Sequence, residues 1–189
     1  MKKPLLVAGG ILLAAIVLVV LAGVIRFNFT NGGDIVPGAN GPEYPAEVKN
    51  LVVTIGDEKF ALANGVAEKE AAPGSATKNT VRVVGEPVMG DGDGDGDLDA
   101  ALLILNDPGG SGTFYYAVLA IRDAGSYHAT NALALGDRIA PQTVAFAGGR
   151  FVYNFAERKP GESMAVRPSV EKSVWIRFDK ASGVISEGS

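Results

Sequence analysis

The sequence predicts a mainly β fold, a single antiparallel barrel or sandwich domain that follows an N-terminal transmembrane helix. Two observations predict the β domain: short runs rich in β-branched and aromatic residues, and Gly, Asn or Asp turns that separate these runs. A third observation, an uncharged apolar run near the N-terminus, predicts the helix. We therefore divide the chain into an anchor at residues 1–26, a flexible stalk at residues 27–47 and a β domain at residues 48–189.

The anchor is predicted from residues 4–25, which carry no charge and are almost all Leu, Val, Ile, Ala and Gly. As a helix this segment would be about 33 Å long, enough to cross a bilayer. Lys2 and Lys3 precede it, which predicts a cytoplasmic N-terminus and an extracytoplasmic domain on a single-pass protein of the cell membrane. The alternative is a signal peptide whose cleavage releases a secreted domain. Against it, the apolar run is longer than usual in such peptides, and Leu21-Ala22-Gly23-Val24 is a poor cleavage site.

The stalk is predicted from the Gly, Asn and Pro content of residues 27–47, which lack a periodic apolar pattern. From residue 26 onward the chain has 15 basic and 21 acidic residues, a net charge of −6. This charge disfavours nucleic acid and anionic lipid as partners. The absence of cysteine excludes disulfides and a lipoprotein anchor.

The β domain is predicted strand by strand from the apolar runs and the turns between them. Gly56-Asp57 and Asn64-Gly65 are turn signals. Alternation in residues 151–155 and 174–178 predicts one buried and one wetter face, and the run at 100–105 lacks helical amphipathicity. The predicted strands are residues 51–55, 59–62, 66–68, 81–84, 100–105, 113–121, 127–135, 143–146, 151–155 and 174–178.

The loop at residues 91–99 carries the most specific chemistry, with five aspartates that alternate with glycine before an apolar run. Carboxylates this close repel one another unless a cation lies among them. Ca²⁺ takes six to eight oxygens at about 2.3–2.6 Å, and a short loop with ligands at alternate positions can supply them. The sequence therefore predicts a structural calcium site. The predicted ligands are the carboxylates of Asp91, Asp93, Asp95 and Asp99 and the backbone carbonyl of Asp97.

The remaining ligands are left open by the spacing. With Asp91 at position 1 of an EF-hand-like loop, Gly96 falls at the obligatory glycine, but Leu102 stands where a bidentate Glu is needed. Water or Asn106, Asp107 or Asp137 would then complete the shell. Magnesium prefers fewer carboxylates, and zinc is unlikely with no cysteine and one histidine. The alternative to a metal site is a solvated Asp-Gly turn.

The pattern formed by Asp91, Asp93, Asp95, Gly96 and Asp99 resembles the calcium loops of integrin-type FG-GAP repeats, which implies calcium between two strands. Only one copy is present, so a propeller of such repeats is not predicted. A second resemblance is carried by residues 64–68, 72–76, 91–99, 110–116, 135–142 and 158–162. Through these segments the chain resembles a family of exported bacterial β-rich proteins of unknown function, which implies bacterial export and provides no activity to transfer.

These observations predict a membrane-anchored, extracytoplasmic calcium-binding domain that serves as a binding or structural module, with an unknown protein or envelope partner. We predict no enzyme activity. Ser111 lies in a glycine-rich loop that lacks the G-x-S-x-G pattern, and His128, the only histidine, lies in a predicted strand. One alternative is a calcium-dependent cell-envelope hydrolase, which would need His128 or Glu157 beside Ser111. The other is a purely structural envelope protein.

Overall fold

The computed structural model describes residues 44–188, and within this part of the chain the fold is antiparallel β with one short 3₁₀ turn at Ala46–Lys49. The predicted mainly β, antiparallel class is therefore confirmed. The predicted transmembrane helix and nearly all of the predicted stalk lie outside the described residues. Among residues 44–188 there is no helix with the length and apolar character needed to span a membrane.

Twelve strands form three sheets within the described residues. A two-stranded hairpin pairs β1 with β2. A six-stranded sheet has the order β3-β4-β5-β6-β7, with β8 also paired to β6, and a four-stranded sheet has the order β12-β11-β10-β9. The strands are β1 (Val52–Ile55), β2 (Glu58–Ala61), β3 (Val66–Glu70), β4 (Lys78–Gly90), β5 (Asp99–Asp107), β6 (Phe114–Asp123), β7 (Ser126–Ala129), β8 (Leu133–Asp137), β9 (Ala140–Ala147), β10 (Arg150–Glu157), β11 (Val170–Asp179) and β12 (Val184–Gly188).

The six-stranded sheet is covered on both faces. On one face Leu103 and Leu119 pack in a common core with Phe151 and Ile176 of the four-stranded sheet. The other face forms a second core beneath the β1–β2 hairpin and the 3₁₀ turn, whose members are Val48, Leu51, Val53, Phe60, Leu62, Val81, Ala100, Leu102, Ile104, Val118 and Ala120. Because both faces are covered, every residue of β5 except Asp107 is buried. This burial explains why residues 100–105 of β5 are all apolar and do not alternate between apolar and polar side chains.

One buried side chain links the two larger sheets. Tyr153 of β10 is fully buried, and its hydroxyl donates to the backbone carbonyl of Leu102 in β5 at 3.0 Å, with the carbonyl of Val118 in β6 at 3.3 Å. Burial raises the pKa of the Tyr153 phenol far above its ordinary value. A buried tyrosine needs such a partner, so this contact fixes how the sheets face each other.

The main differences between the predicted strands and the structure are in three places, besides longer ends at other strands such as β9 and β11. The predicted strand at 127–135 is divided into β7 and β8, which pair with successive parts of β6. The division falls at Thr130, whose hydroxyl accepts from the Leu119 backbone N–H. β4 is longer than predicted and has a register shift between Val84 and Val88, where Gly85 has a φ of 71°. β12 was not predicted, because its short segment lies after a turn and has little apolar content.

Candidate metal centre

The aspartate loop connects β4 to β5, so the prediction that it joins two strands is confirmed. Its path requires glycine at several positions. Gly94 and Gly96 have φ values of 77° and 95°, and Gly96 is the position that an EF-hand-like loop reserves for glycine. Gly92 lies against the Phe151 ring, where a Cβ would be 2.6 Å from a ring carbon. The loop therefore packs tightly against the four-stranded sheet.

Asp91 organises the first half of the loop. Its Oδ1 accepts the backbone N–H groups of Gly94 at 2.7 Å and Asp95 at 3.0 Å, and its Oδ2 accepts that of Gly96 at 3.2 Å. The chain thus bends around one carboxylate. The amides partly satisfy this negative charge and fix the direction of its oxygens.

Asp99 anchors the end of the loop at the first residue of β5. It is completely buried, and its Oδ2 accepts the N–H groups of Gly92 at 2.8 Å and Asp93 at 3.1 Å. Its Oδ1 accepts the Arg122 backbone N–H of β6 at 2.9 Å. Burial raises the pKa of Asp99, and these backbone hydrogen bonds oppose the rise. Asp99 therefore joins the loop to the neighbouring strand.

Asp91, Asp93 and Asp99 converge. Each offers a carboxylate oxygen, and these oxygens all lie within 4.8 Å of one another. Two oxygens that bind one Ca²⁺ can be at most about 5 Å apart, twice the metal–oxygen distance. One calcium ion could therefore contact all three. Asp91 and Asp93 are half-buried and Asp99 is buried, so the centre is partly screened from solvent.

The other two predicted ligands lie outside this group. Asp95 is exposed, and its Oδ1 accepts the Asp97 backbone N–H at 2.8 Å. Asp97 is also exposed, and its Oδ1 lies 3.8 Å from the Arg122 guanidinium. Their assignment as ligands stays a prediction from the spacing of the sequence.

The three residues predicted to complete the shell are too far from the loop to do so. Asn106 and Asp107 stand at the end of β5 opposite to Asp99, and a rise of about 3.4 Å per residue puts them more than about 20 Å from the loop. Asp137 is at the same far end, because Phe114 pairs with both Asn106 and Asp137. Any further ligands would then come from other groups of the loop or from water.

Two contacts of the loop could not be read from the sequence. Lys180, in the turn between β11 and β12, places its Nζ 3.7 Å from Asp93 Oδ2. The Tyr127 hydroxyl of β7 donates to the Leu98 carbonyl at 3.0 Å. Both residues are distant in sequence from the loop, and no local pattern marks them.

His128 and Ser111, one of the pairs that the hydrolase alternative needs, are not brought together. His128 pairs with Ile121 of β6, whereas Ser111 precedes Phe114 at the other end of that strand, about 20 Å away or more. Glu157 lies 3.8 Å from the Lys172 ammonium. The geometry of the described residues thus gives this alternative no support.

The charged turn at residues 137–138 holds neighbouring loops. Arg138 binds both oxygens of Asp137 at 2.8 and 3.1 Å and lowers the pKa of that carboxyl. Asp137 also accepts the Thr113 N–H at 2.9 Å, while the Arg158 guanidinium donates to the Arg138 carbonyl at 2.7 Å. These contacts account for the conformation of the charged turn at residues 137–138.

No protein-family model matches this chain, and neither a curated protein nor a solved structure matches it.

Proposed function

We propose that this chain is a membrane-anchored, extracytoplasmic β domain that binds Ca²⁺ structurally in its β4–β5 loop and acts as a binding or structural module. The observation that carries the proposal is the convergence of Asp91, Asp93 and Asp99, whose oxygens lie within 4.8 Å of one another. Such a group is stabilised by a divalent cation at its centre, because the cation replaces mutual repulsion by attraction.

The surroundings of the three carboxylates favour calcium. All the side-chain donors are carboxylate oxygens, which a hard cation prefers, and nitrogen and sulfur ligands for zinc are missing from the group. Among the ion pairs of residues 44–188, the pair between Lys180 Nζ and Asp93, at 3.7 Å, brings a positive charge to the three carboxylates. Lys180 is exposed, so its ammonium can move into solvent when a cation enters.

The position of the loop supports a structural role for the ion. Asp99 binds the backbone of β6, and Gly92 packs on Phe151 of β10, so the loop contacts both larger sheets. A cation held by Asp91, Asp93 and Asp99 would stabilise the loop conformation that makes these contacts. At one hundred times its Kd, an ion that binds only the folded state stabilises it by about 2.7 kcal/mol.

The predicted export of the domain supports calcium over other cations, because weak calcium sites fill outside the cell. The large apolar side chains that are exposed among the described residues are spread over several elements: Val52, Val66, Leu98, Phe114, Met164, Val166 and Val184. Scattered exposure of this kind is normal, and it does not identify the partner.

The test is the melting temperature of the full chain in EDTA, in millimolar Ca²⁺ and in millimolar Mg²⁺. We expect a rise of several degrees in Ca²⁺ and a smaller one in Mg²⁺. Asp91→Asn should remove the calcium-dependent rise, and the matched variant Asp107→Asn, at the far end of β5, should keep it. The proposal fails if Ca²⁺ and Mg²⁺ leave the melting temperature of the wild-type chain unchanged.

A further inference from the structure

The turn between β2 and β3 contains a chemically reactive pair, Asn64-Gly65. Asn64 and Gly65 have φ values of 52° and 83°, and Ala63 pairs with Val66 across them, so they form a two-residue hairpin turn with positive φ at both positions. Asn-Gly is the pair that such a turn prefers. The turn therefore uses a pair in which the backbone nitrogen of the glycine can attack the side chain of the asparagine.

The reaction is the deamidation of asparagine. The Gly65 backbone nitrogen bonds to Cγ of Asn64, and its proton leaves with the side-chain nitrogen as ammonia, so that a cyclic succinimide forms. One water molecule then opens either carbonyl of this ring and gives aspartate or isoaspartate at position 64. Glycine favours the attack, because it has no side chain to obstruct the nitrogen and its backbone adopts many conformations.

The folded chain opposes this attack at Gly65. The Gly65 N–H donates to the Lys49 carbonyl at 2.7 Å, and the Gly65 carbonyl accepts the Val83 N–H at 2.8 Å. Gly65 is buried, and a Cβ built on it would lie 3.4 Å from Val83 and 3.5 Å from the Lys49 side chain. Asn64 is exposed, so water can reach its side chain while the attacking nitrogen is bonded to Lys49.

Residues 44–50, which we call the docking segment, supply this protection. The segment contains the 3₁₀ turn that ends at Lys49, the acceptor of the Gly65 N–H. Asn50 Oδ1 accepts the Asn64 N–H at 2.8 Å, and the Asn50 amide donates to the Ala46 carbonyl at 2.7 Å. The backbone N–H groups of both turn residues therefore donate to the docking segment.

Glu86 of β4 holds the docking segment in place. Lys49 Nζ lies 2.9 Å from Glu86 Oε2 and 4.9 Å from the centroid of the Tyr44 ring. The Tyr44 hydroxyl donates to the same Glu86 oxygen, and Val48 is completely buried in the second core. Because the segment is short and these contacts involve few residues, it can detach locally without unfolding of the two larger sheets.

We propose that Asn64 is a deamidation site controlled by the docking segment. While the segment is docked, the Gly65 nitrogen is bonded to Lys49 and Asn64 persists. When the segment detaches, this nitrogen is released and attacks the Asn64 side chain. Isoaspartate adds a methylene group to the main chain, so the two-residue turn does not close again in the same way. The inference does not depend on the metal loop and goes beyond the function proposed above.

Peptide mapping by mass spectrometry tests this proposal, because it distinguishes asparagine from its products at each position. The full chain is incubated at neutral pH, and an incubation in urea gives the rate of the unfolded chain. We expect Asn64 to deamidate at least about tenfold more slowly in the folded chain. Asn31-Gly32 and Asn40-Gly41, which lie outside the described residues, are read in the same digests as references for the solution conditions.

Two variants weaken the attachment of the docking segment. Asn50→Ala removes its hydrogen bonds to Asn64 and to Ala46, and we expect deamidation at position 64 to be about fivefold faster. Glu86→Gln removes the charge that attracts Lys49, and we expect an increase of about twofold.

The matched control is Glu157→Gln, which removes an ion pair of the same kind in the four-stranded sheet and should leave the rate unchanged. The proposal is overturned if Asn64 persists in urea, or if it deamidates as fast in the folded chain as in urea. It is also overturned if Asn50→Ala or Glu86→Gln leaves the rate unchanged. Equal acceleration by Glu157→Gln would overturn it as well, because unfolding of the whole domain would then control the reaction.

Discussion

The two ends of β5 each bury a polar side chain, and the fold treats these side chains differently. Asp99, at the loop end, is 0% exposed, and three backbone N–H groups donate to its two oxygens. Asn106, at the far end, is 8% exposed, and its Oδ1 has no hydrogen-bond partner among the described residues. The charged group is the one that is fully satisfied, which is the arrangement that a buried charge requires. The aspartate loop is therefore organised around its carboxylates.

The largest expected effect comes from Asp99→Ala. The variant leaves three backbone N–H groups without their acceptor in a buried site, so the free energy of unfolding should fall by about 3 kcal/mol or more. Urea denaturation in EDTA measures this loss without any contribution from metal. A loss under about 1 kcal/mol would mean that water replaces the carboxylate, and that the two ends of β5 are more alike than the structure indicates.

The second largest effect is expected for Asp95→Ala, which removes a predicted calcium ligand. The sequence pattern places the Asp95 carboxylate among the ligands, although it is exposed and lies outside the cluster of Asp91, Asp93 and Asp99. We expect Asp95→Ala to abolish the calcium-dependent part of stability, about 2.7 kcal/mol at one hundred times Kd. Calorimetry in Ca²⁺ and in EDTA measures it. A variant with the full calcium response would remove Asp95 from the ligand set.

A smaller effect is expected at the middle of β5, where the Tyr153 hydroxyl donates to the Leu102 carbonyl at 3.0 Å. Tyr153→Phe keeps the ring and removes the donor, so unfolding should become easier by about 1 kcal/mol. The same urea experiment measures this change, with Tyr116→Phe, a half-buried tyrosine whose hydroxyl has no hydrogen bond among residues 44–188, as the control. An unchanged stability would show that this hydrogen bond contributes nothing net to the contact between the sheets.

The next effect is at the far end of β5 and depends on pH. Arg138 lowers the pKa of Asp137 below its ordinary value, so this pair stabilises the fold above the unfolded-state pKa, and the stabilisation is lost as pH falls through the lower folded-state pKa. Because solvent screens the pair, we expect its contribution to be small. Asp137→Asn should flatten the loss of stability below pH 4, as measured by urea denaturation between pH 2 and pH 6. An unchanged slope would contradict the role given to Arg138.

The smallest effect is expected for Asn106→Leu. The amide oxygen has no partner to lose, so replacing the side chain by an apolar one of similar size should be nearly neutral, or stabilising by up to about 1 kcal/mol. A loss of about 2 kcal/mol would reveal a hydrogen bond to ordered water at Asn106. The buried polar side chains at the two ends of β5 would then both have hydrogen-bond partners.

The sequence predicted most strands because their apolar and β-branched runs are local features. Residues 100–105 and 113–121 correspond to β5 and β6, and the turn at Asn64-Gly65 lies just before β3. It did not predict the break between β7 and β8, because that break depends on the hydrogen bond of Thr130 to the Leu119 backbone, a contact between strands. The prediction of a transmembrane helix concerns residues outside the described part and stays a prediction.

At the candidate site, too, the local features were predicted from the sequence and the contacts between strands were not. The sequence alone determined that aspartates and glycines form a loop between two strands, because the spacing of the ligands and the need for positive φ at Gly96 are properties of the local chain. Only the tertiary structure decided that Asp99 is buried and reaches β6, that Lys180 stands beside Asp93, and that Asn106, Asp107 and Asp137 are too far away. It also decided how the strands divide into three sheets, and that the Arg150 guanidinium lies 5.4 Å from the Trp175 ring centroid. The physical reason is that pairing register and sheet packing depend on contacts between distant parts of the chain, which a local pattern does not specify.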